Sequence, residues 1–530
     1  MNYFRLYVRR VQYRWHTSNM ATKIRFIASV CLFIFIIIYV FLWWRKDFKK
    51  ERMNLPNQDD IRDENPAVTR KRIKSMMLHA WHNYARLTWG ANELRPISGR
   101  PYLGGDFGAH RLGATIIESM DTLHIMGLHK ELNRSRDWID QKFTLDRVDD
   151  SLSVYELTSR LLAPMLTLYS LTGDDLYKNK AIYIANKILP AFDTPTGIPW
   201  RRVVPKEGST LNRYLDNWAL LSEYGALHLE FFYLSEITGS SIYKDRVEGI
   251  RITLSNLTKT NGLYPNSIDI KTRQWGRSDF SMHRYYDYLL KSWIQSARCD
   301  AKTLAMFQDA MLAVVQNMVV ITPDEVTYVS EVQSGNHTHR MTQMACFSGA
   351  LFVQGAIETL MKFWEKYMLI GIGIVESCYK SFTATPTHIG PEVIGFSEDA
   401  KKDIVSHQLN YYNLRPEVAE SYMLLYRLTR DDKYRTWGLE LVGALEKYCR
   451  APGGYNGIMN VYDSSTETDD VQRSFFLGAT LKYLYLLFSG DYVIPLHQWV
   501  FNSRGHFLPI KEINDLYREY NFTTMNNNIP

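Results

Sequence analysis

LTGDDLY (171–177), ITGSSIY (237–243) and LTRDDKY (428–434) share one design. Each closes an apolar, aromatic-rich run of helical period and opens another. A helix stops where the backbone turns left-handed. The next helix starts at an Asp or Ser whose side-chain oxygen caps its free N–H groups. The repeating unit is therefore a helical hairpin, and FSGDY (488–492) is a degenerate fourth copy. Helical periodicity runs from about Thr69 to about Ser489, and strand signals are few, the best being 326–332. The expected class is all-α. Hairpins in series give either an open solenoid or a closed α/α toroid, and spacing alone does not separate the two. A toroid would gather its loops and helix N-termini around one central pocket.

Outside this body the composition changes. The chain has 530 residues, 46% hydrophobic and 13% aromatic, ample for a large core. Its net charge of +6 resides in residues 1–25, which hold Arg5, Arg9, Arg10, Arg14, Lys23 and Arg25 and no acid. The remainder is near neutral, which argues against a nucleic-acid footprint. Residues 26–44 contain no charge, long enough to cross a bilayer, and Trp43 and Trp44 suit its far interface. The run is too long and bulky for a cleaved signal peptide, and no small-residue cleavage site follows. The expected order is a cytosolic basic tail (1–25), a type II transmembrane helix (26–44), a polar stem (45–68), a helical body (69–511) and a flexible tail (512–530). Sequons at Asn133, Asn256, Asn336 and Asn521 all follow the span, as a lumenal body requires. Of five cysteines, Cys31 lies in the span. Cys346 and Cys378 are close enough in sequence to bridge, and Cys299 and Cys449 are expected to be free and buried.

Within the body, LRPEVAESYM (414–423) concentrates the chemistry. Pro416 sits at a helix-opening position, and Glu417 and Glu420 share one helix face. Alone, such a pair is more often a solvated face. Paired carboxylates are also what glycosidic cleavage requires: one protonates the leaving oxygen and the other activates water or attacks the sugar.

The chain resembles glycoside hydrolase family 47, the class I α-1,2-mannosidases. The blocks that carry the resemblance include HAWHNYARLTWGANELRPISG (79–99), LGATIIESMDTLHIMGL (112–128), EYGALHLEFFYLSEITG (223–239), LRPEVAES (414–421), SFFLGATLKYLYLLFSGD (474–491) and WVFNSRGHFLPI (499–510). This resemblance implies an (α/α)7 barrel and inverting hydrolysis of terminal α-1,2-mannose on high-mannose N-linked glycans. It also implies an ER or Golgi membrane location and a calcium ion at the barrel floor. By match to the family's motifs, Glu156 is the candidate general acid, Glu417 the candidate base and Glu392 a further pocket acid. Arg160, Glu223, Arg415 and Glu420 match substrate-binding positions, Ser503 a calcium-binding hydroxyl, and Cys346 and Cys378 the family's disulfide. Some positions depart from the pattern. Thr342, Leu409, Arg473 and Ala479 stand where the family has acids, and Arg504 where it has Glu. His283 and Arg284 replace Asp and Ser. Replacing two carboxylates by Arg473 and Arg504 swings the local charge by about four units, which opposes a dication in a low-dielectric pocket. The expectation is weakened or absent calcium binding. The alternative function is a lectin-like glycan binder without turnover.

Overall fold

The structure is a computed structural model that describes residues 19–21, 65–208, 217–359, 364–397, 404–405 and 409–520. The expected transmembrane helix at 26–44 lies outside the described residues, as does nearly all of the basic tail and stem. Among the described residues, no helix is long and apolar enough to cross a membrane. A helix begins at Pro66, with the Asn65 side chain accepting from the Ala67 N–H as its cap.

Fourteen α-helices of seven residues or more are present among the described residues. In chain order they are α1 (Pro66–Leu87), α2 (Ala114–Ile125), α3 (His129–Lys142), α4 (Ala163–Thr172), α5 (Asp175–Ile188), α6 (His228–Thr238) and α7 (Ile242–Asn256). There follow α8 (Arg284–Gln295), α9 (Ala301–Asn317), α10 (Phe347–Thr359), α11 (Trp364–Thr383), α12 (Glu417–Thr429), α13 (Lys433–Ala444) and α14 (Leu481–Leu487). Neighbours in sequence pack as hairpins from α2–α3 to α12–α13, and α14 packs on α1, giving seven pairs. The first members form a ring. α2 touches α4, α4 touches α6, and the contacts continue through α8, α10 and α12 to α14. The π-helical turn Phe476–Thr480, which leads into α14, returns to α2. The ring closes, so the hairpins build a toroid and not a solenoid.

Burial explains which helix of each pair faces inward. All twelve residues of α8 are buried, as are ten of α12, whereas the outer α3 buries three. A helix covered all round occupies the interior, and one with a single apolar stripe faces solvent. The predicted turns stop their helices as expected, but the side-chain cap forms only at Asp174 and at Asp431, which accepts from the Lys433 N–H at 3.0 Å, whereas Ser241 before α7 makes none. Gly173 ends α4 at φ 71°, and Asp174 caps α5 by accepting from the Leu176 N–H. Gly239 ends α6 at φ 69°. Arg430 takes the left-handed position in the third copy, at φ 63°. The fourth copy closes α14 but opens no further helix. The chain passes instead to an antiparallel hairpin, Trp499–Phe501 with Phe507–Pro509.

Two expectations are corrected. Residues 512–520 are not a loose tail: Tyr520 N–H donates to the Glu236 carbonyl at 2.9 Å, and Arg518 Nε donates to the Tyr169 carbonyl at 3.1 Å. A Cβ at Gly173 would lie 2.8 Å from Arg518, and one at Gly239 would lie 2.6 Å from Tyr520, so the turn glycines also make room for this segment. Cys299 is exposed, not buried, because it lies in the turn after α8, whereas Cys449 is buried as expected. Cys346 and Cys378 are disulfide-bonded, fastening the turn before α10 to α11.

Candidate active site

Glu156 ends a short helical turn, Val154–Glu156, capped by Ser153, and the chain then enters α4 through the π-helical turn Leu157–Leu162. A π turn shifts the register of the side chains that follow, and such turns concentrate at functional sites. Here it brings Glu156 and Arg160 to the barrel interior. Arg160 is buried and reaches four acceptors: Nη1 donates to Asp106 at 2.6 Å and to Glu156 at 3.2 Å, Nε to Glu118 at 2.8 Å, and Nη2 to Ser474 at 2.6 Å. The other oxygen of Glu156 accepts from Arg504 Nη2 at 2.5 Å. Glu156 is thus clamped between two guanidinium groups.

Arg504 arrives from the turn of the Trp499–Phe501/Phe507–Pro509 hairpin. Asn502 fixes that turn by accepting from the N–H groups of Arg504 and His506, each at 2.9 Å, while its amide donates to Glu230 at 2.9 Å. Tyr288 also donates to Glu230, at 3.0 Å, and burial pushes the Glu230 carboxyl up to about 7. Between Asn502 and Arg504, the Ser503 hydroxyl accepts from Tyr155 at 2.8 Å.

Glu417 and Glu420 lie in the first turn of α12, as the sequence predicts, and both are buried. Glu417 keeps one oxygen without a hydrogen-bond partner. Burial raises its carboxyl above the usual range, against the opposing pull of Arg415 and Arg284. Glu420 instead forms a two-pronged pair with Arg284, at 3.0 and 2.6 Å. Arg284 also donates to Asp287 at 3.3 Å, and Lys291 completes the network on Asp287 at 2.7 Å. Residues 284, 287 and 291 recur at helical spacing on one face of α8, which explains how three charges share a buried wall.

Arg415 holds Glu392 with two hydrogen bonds. Glu392 immediately precedes Val393, which pairs with Thr342 across an antiparallel ladder, and the Glu392 carbonyl accepts from the Gln343 N–H at 2.8 Å. Thr342 and Glu392 therefore lie close together at one end of this ladder. Leu409 is exposed. Arg473 lies 3.5 Å from Glu93 and 3.7 Å from Asp469. Glu223 forms a two-pronged pair with Arg201, both distances 2.9 Å. It occupies a separate short helix, Leu221–Tyr224, and not the helix that runs into the Gly239 turn, because Gly225 ends the first turn before α6 begins. It lines a small cavity with Tyr155. His283 has neither ring nitrogen partnered and stacks on Tyr286 at 4.7 Å, and burial pushes its imidazole down to about 3, so it is neutral.

The structure brings Glu156, Arg160, Glu417, Glu420 and Ser503 to one interior. Tyr155 links two walls, being under the influence of both Arg504 and Arg284, and Arg415 feels both Glu417 and Arg504. Sequence reasoning missed Glu93, Asp106, Glu118, Ser474, Tyr155 and Arg284 as working partners. Each is far from the LRPE run in sequence, and no local spacing marks it.

Residues 76–510 match the family described as glycosyl hydrolase family 47. The chain belongs to glycosyl hydrolase family 47. Among family 47 relatives, the chain is 50% identical over 469 residues to a Drosophila melanogaster mannosyl-oligosaccharide alpha-1,2-mannosidase IA, covering 87% of this chain and 70% of the relative. It is 41% identical over 464 residues to the Homo sapiens mannosyl-oligosaccharide 1,2-alpha-mannosidase IB, covering 86% and 71%. In three dimensions it superposes on an alpha-1,2-mannosidase from Trichoderma reesei with a TM-score of 0.77 at 23% identity, over 84% of this chain and 99% of that one. That likeness establishes the family 47 barrel as the fold.

Family 47 membership also raises the question of calcium. Ca²⁺ takes six to eight oxygen ligands and is favoured by unpaired negative charge. Here both oxygens of Glu156 and both of Glu420 are taken by guanidinium groups, and so is Glu392. The Ser503 hydroxyl is engaged by Tyr155, while Glu417, Glu93, Glu118 and Glu230 each keep one carboxylate oxygen without a hydrogen-bond partner.

Proposed function

We propose that this protein binds high-mannose N-linked glycans in the barrel pocket and removes terminal α-1,2-linked mannose with inversion. The observation that carries the reading is Glu417, a buried carboxylate with one free oxygen at the mouth of α12, flanked by the Arg415–Glu392 pair. The names of relatives up to 50% identical support the same substrate class. In this reading Glu417 takes the proton of the attacking water. Burial raises its carboxyl above the usual range, which suits a group that takes up a proton. Once Arg504 releases it, Glu156 takes up a proton from solvent and passes it to the leaving oxygen, while Arg160 holds its other oxygen in place. Arg415 and Glu392 bind sugar hydroxyls. The pocket works without calcium, with the Arg284 and Arg504 guanidinium groups supplying the positive charge.

The proposed setting is the ER or Golgi membrane, with 26–44 as a single type II anchor and the barrel in the lumen. The charge-free run and the four sequons after it support this. A second reading, glycan binding without turnover, is favoured by one observation: Glu156 has both oxygens on guanidinium groups, and no further acid occupies position 342. Mass spectrometry of a nine-mannose N-glycan incubated with the protein separates the two. Loss of mannose that disappears in Glu417→Gln supports hydrolysis. Retention of all nine mannoses, with saturable glycan binding, supports the second reading and overturns the first.

A further inference from the structure

A second cavity, of about 630 Å³, opens on the outside of the barrel between α3 and the segments after α1 and before α2. Arg134 and Trp138 lie four residues apart on one face of α3, with Lys142 a turn further on. Arg111 and Arg147 complete a wall of four positive side chains, three arginines and Lys142, against one lining carboxylate, Asp137. Among the described residues, Arg134, Lys142 and Arg147 have no carboxylate within ion-pairing distance. The nearby Asp149 and Asp150 are engaged by Lys206 and His110, at 3.4 and 2.9 Å.

Two indoles line the same cavity. Trp138 is seated on two glycines in left-handed conformation, Gly90 and Gly113, where a Cβ would lie 3.0 and 2.4 Å from its ring. Arg134 stacks on Trp89 at 4.1 Å, and Arg111 Nη2 donates to the Trp89 carbonyl at 2.6 Å. The indoles are therefore fixed, while three cations stay uncompensated. Unpaired like charges gathered in one concavity repel one another, an arrangement relieved by an anion. A guanidinium recognises a planar or tetrahedral oxyanion with two hydrogen bonds, and an indole offers an amphipathic face to a sugar ring.

We propose that this groove is a second saccharide site, selective for a sugar that bears an anionic group, whether phosphate, sulfate or carboxylate. The ring lies against Trp138 and the anion against Arg134 and Arg147. The site is linked to the pocket through one loop: Asp106 at its start binds Arg160, and His110 at its end lines the groove. A glycan anchored there presents its neutral arms near the barrel mouth.

Isothermal titration of the full-length chain tests this, with mannose 6-phosphate and glucuronic acid as probes and mannose and inorganic phosphate as controls. The expected result is saturable binding of both anionic sugars and none of mannose. Binding weakens by roughly tenfold or more in R134Q/R147Q, since each charge-assisted hydrogen bond is worth at least that factor. It also weakens with rising salt and persists in Glu417→Gln, which separates the groove from the barrel pocket. Three results overturn the proposal: no binding of either anionic sugar, binding unchanged in R134Q/R147Q, or inorganic phosphate binding as tightly as mannose 6-phosphate.

Discussion

Replacing Arg284 by Met removes the centre of the α8–α12 charge network while keeping much of its volume. In the native protein Arg284 and Lys291 face Glu420 and Asp287, two cations against two carboxylates, all buried. R284M leaves Lys291 alone, 2.7 Å from Asp287 and 3.7 Å from Glu420. One buried carboxylate then lacks compensation. Removing one partner of such a pair costs about 3–5 kcal/mol, far more than an exposed bridge is worth. For a domain of this size that corresponds to a fall in Tm on the order of 5 °C. The orphaned carboxylate is desolvated without its cation, so it takes up a proton more readily. The penalty is therefore full at pH 7.5 and narrows as pH falls. The double variant R284M/E420Q removes both charges and regains most of the stability, with a coupling of at least about 2 kcal/mol. Differential scanning fluorimetry and denaturant titration at pH 5.5 and 7.5 read all four corners of the cycle. An R284M variant within about 1 kcal/mol of wild type at pH 7.5 would refute the buried network, as would additive single effects.

Other outcomes follow from the same geometry. Glu230→Gln keeps an acceptor for Asn502 and Tyr288 but does not titrate. Burial raises the Glu230 carboxyl to about 7, so its contribution to stability is full below the ordinary carboxylate range and is lost as pH rises through 7. Relative to E230Q, wild type should lose about 3 kcal/mol between pH 4.5 and 8, seen as converging Tm values at the acid end. Glu417→Gln should lower turnover by roughly 10²-fold or more while glycan affinity changes little, measured as kcat against KM. The acid limb of the pH–rate profile should sit above that of an exposed Glu, because burial raises the Glu417 carboxyl. Replacing Cys346 and Cys378 by Ala should cost about 2–4 kcal/mol, read as a lowered denaturation midpoint under oxidising conditions.

Much of the fold was legible because its signals are local. Gly173–Asp174 and Gly239 announce hairpin turns by their conformational needs, and the structure places a helix on each side. The α8–α9 turn carries no such mark, since Ala297 and Arg298 take its left-handed positions. Ring closure was not legible from spacing, because it depends on α14 meeting α1, and the Phe476–Thr480 turn meeting α2, from the far end of the chain. The resemblance supplied that expectation. In the pocket, Glu417 and Glu420 were readable from their offset. Their different fates were not: Arg284, 136 residues away, takes both oxygens of Glu420 and leaves Glu417 with one free. The segment 512–520 looked like a tail because its composition is polar, yet Arg518 and Tyr520 dock where turn glycines leave space.

We propose that the acids of this family 47 pocket are balanced by its own arginines and not by a calcium ion. Mannose release from a nine-mannose N-glycan, followed by mass spectrometry in excess EDTA and again in millimolar calcium, tests it directly. Equal release in both, with an unchanged Tm, is the expected result. Release abolished by EDTA and restored by calcium, with a calcium-dependent rise in Tm, would contradict it.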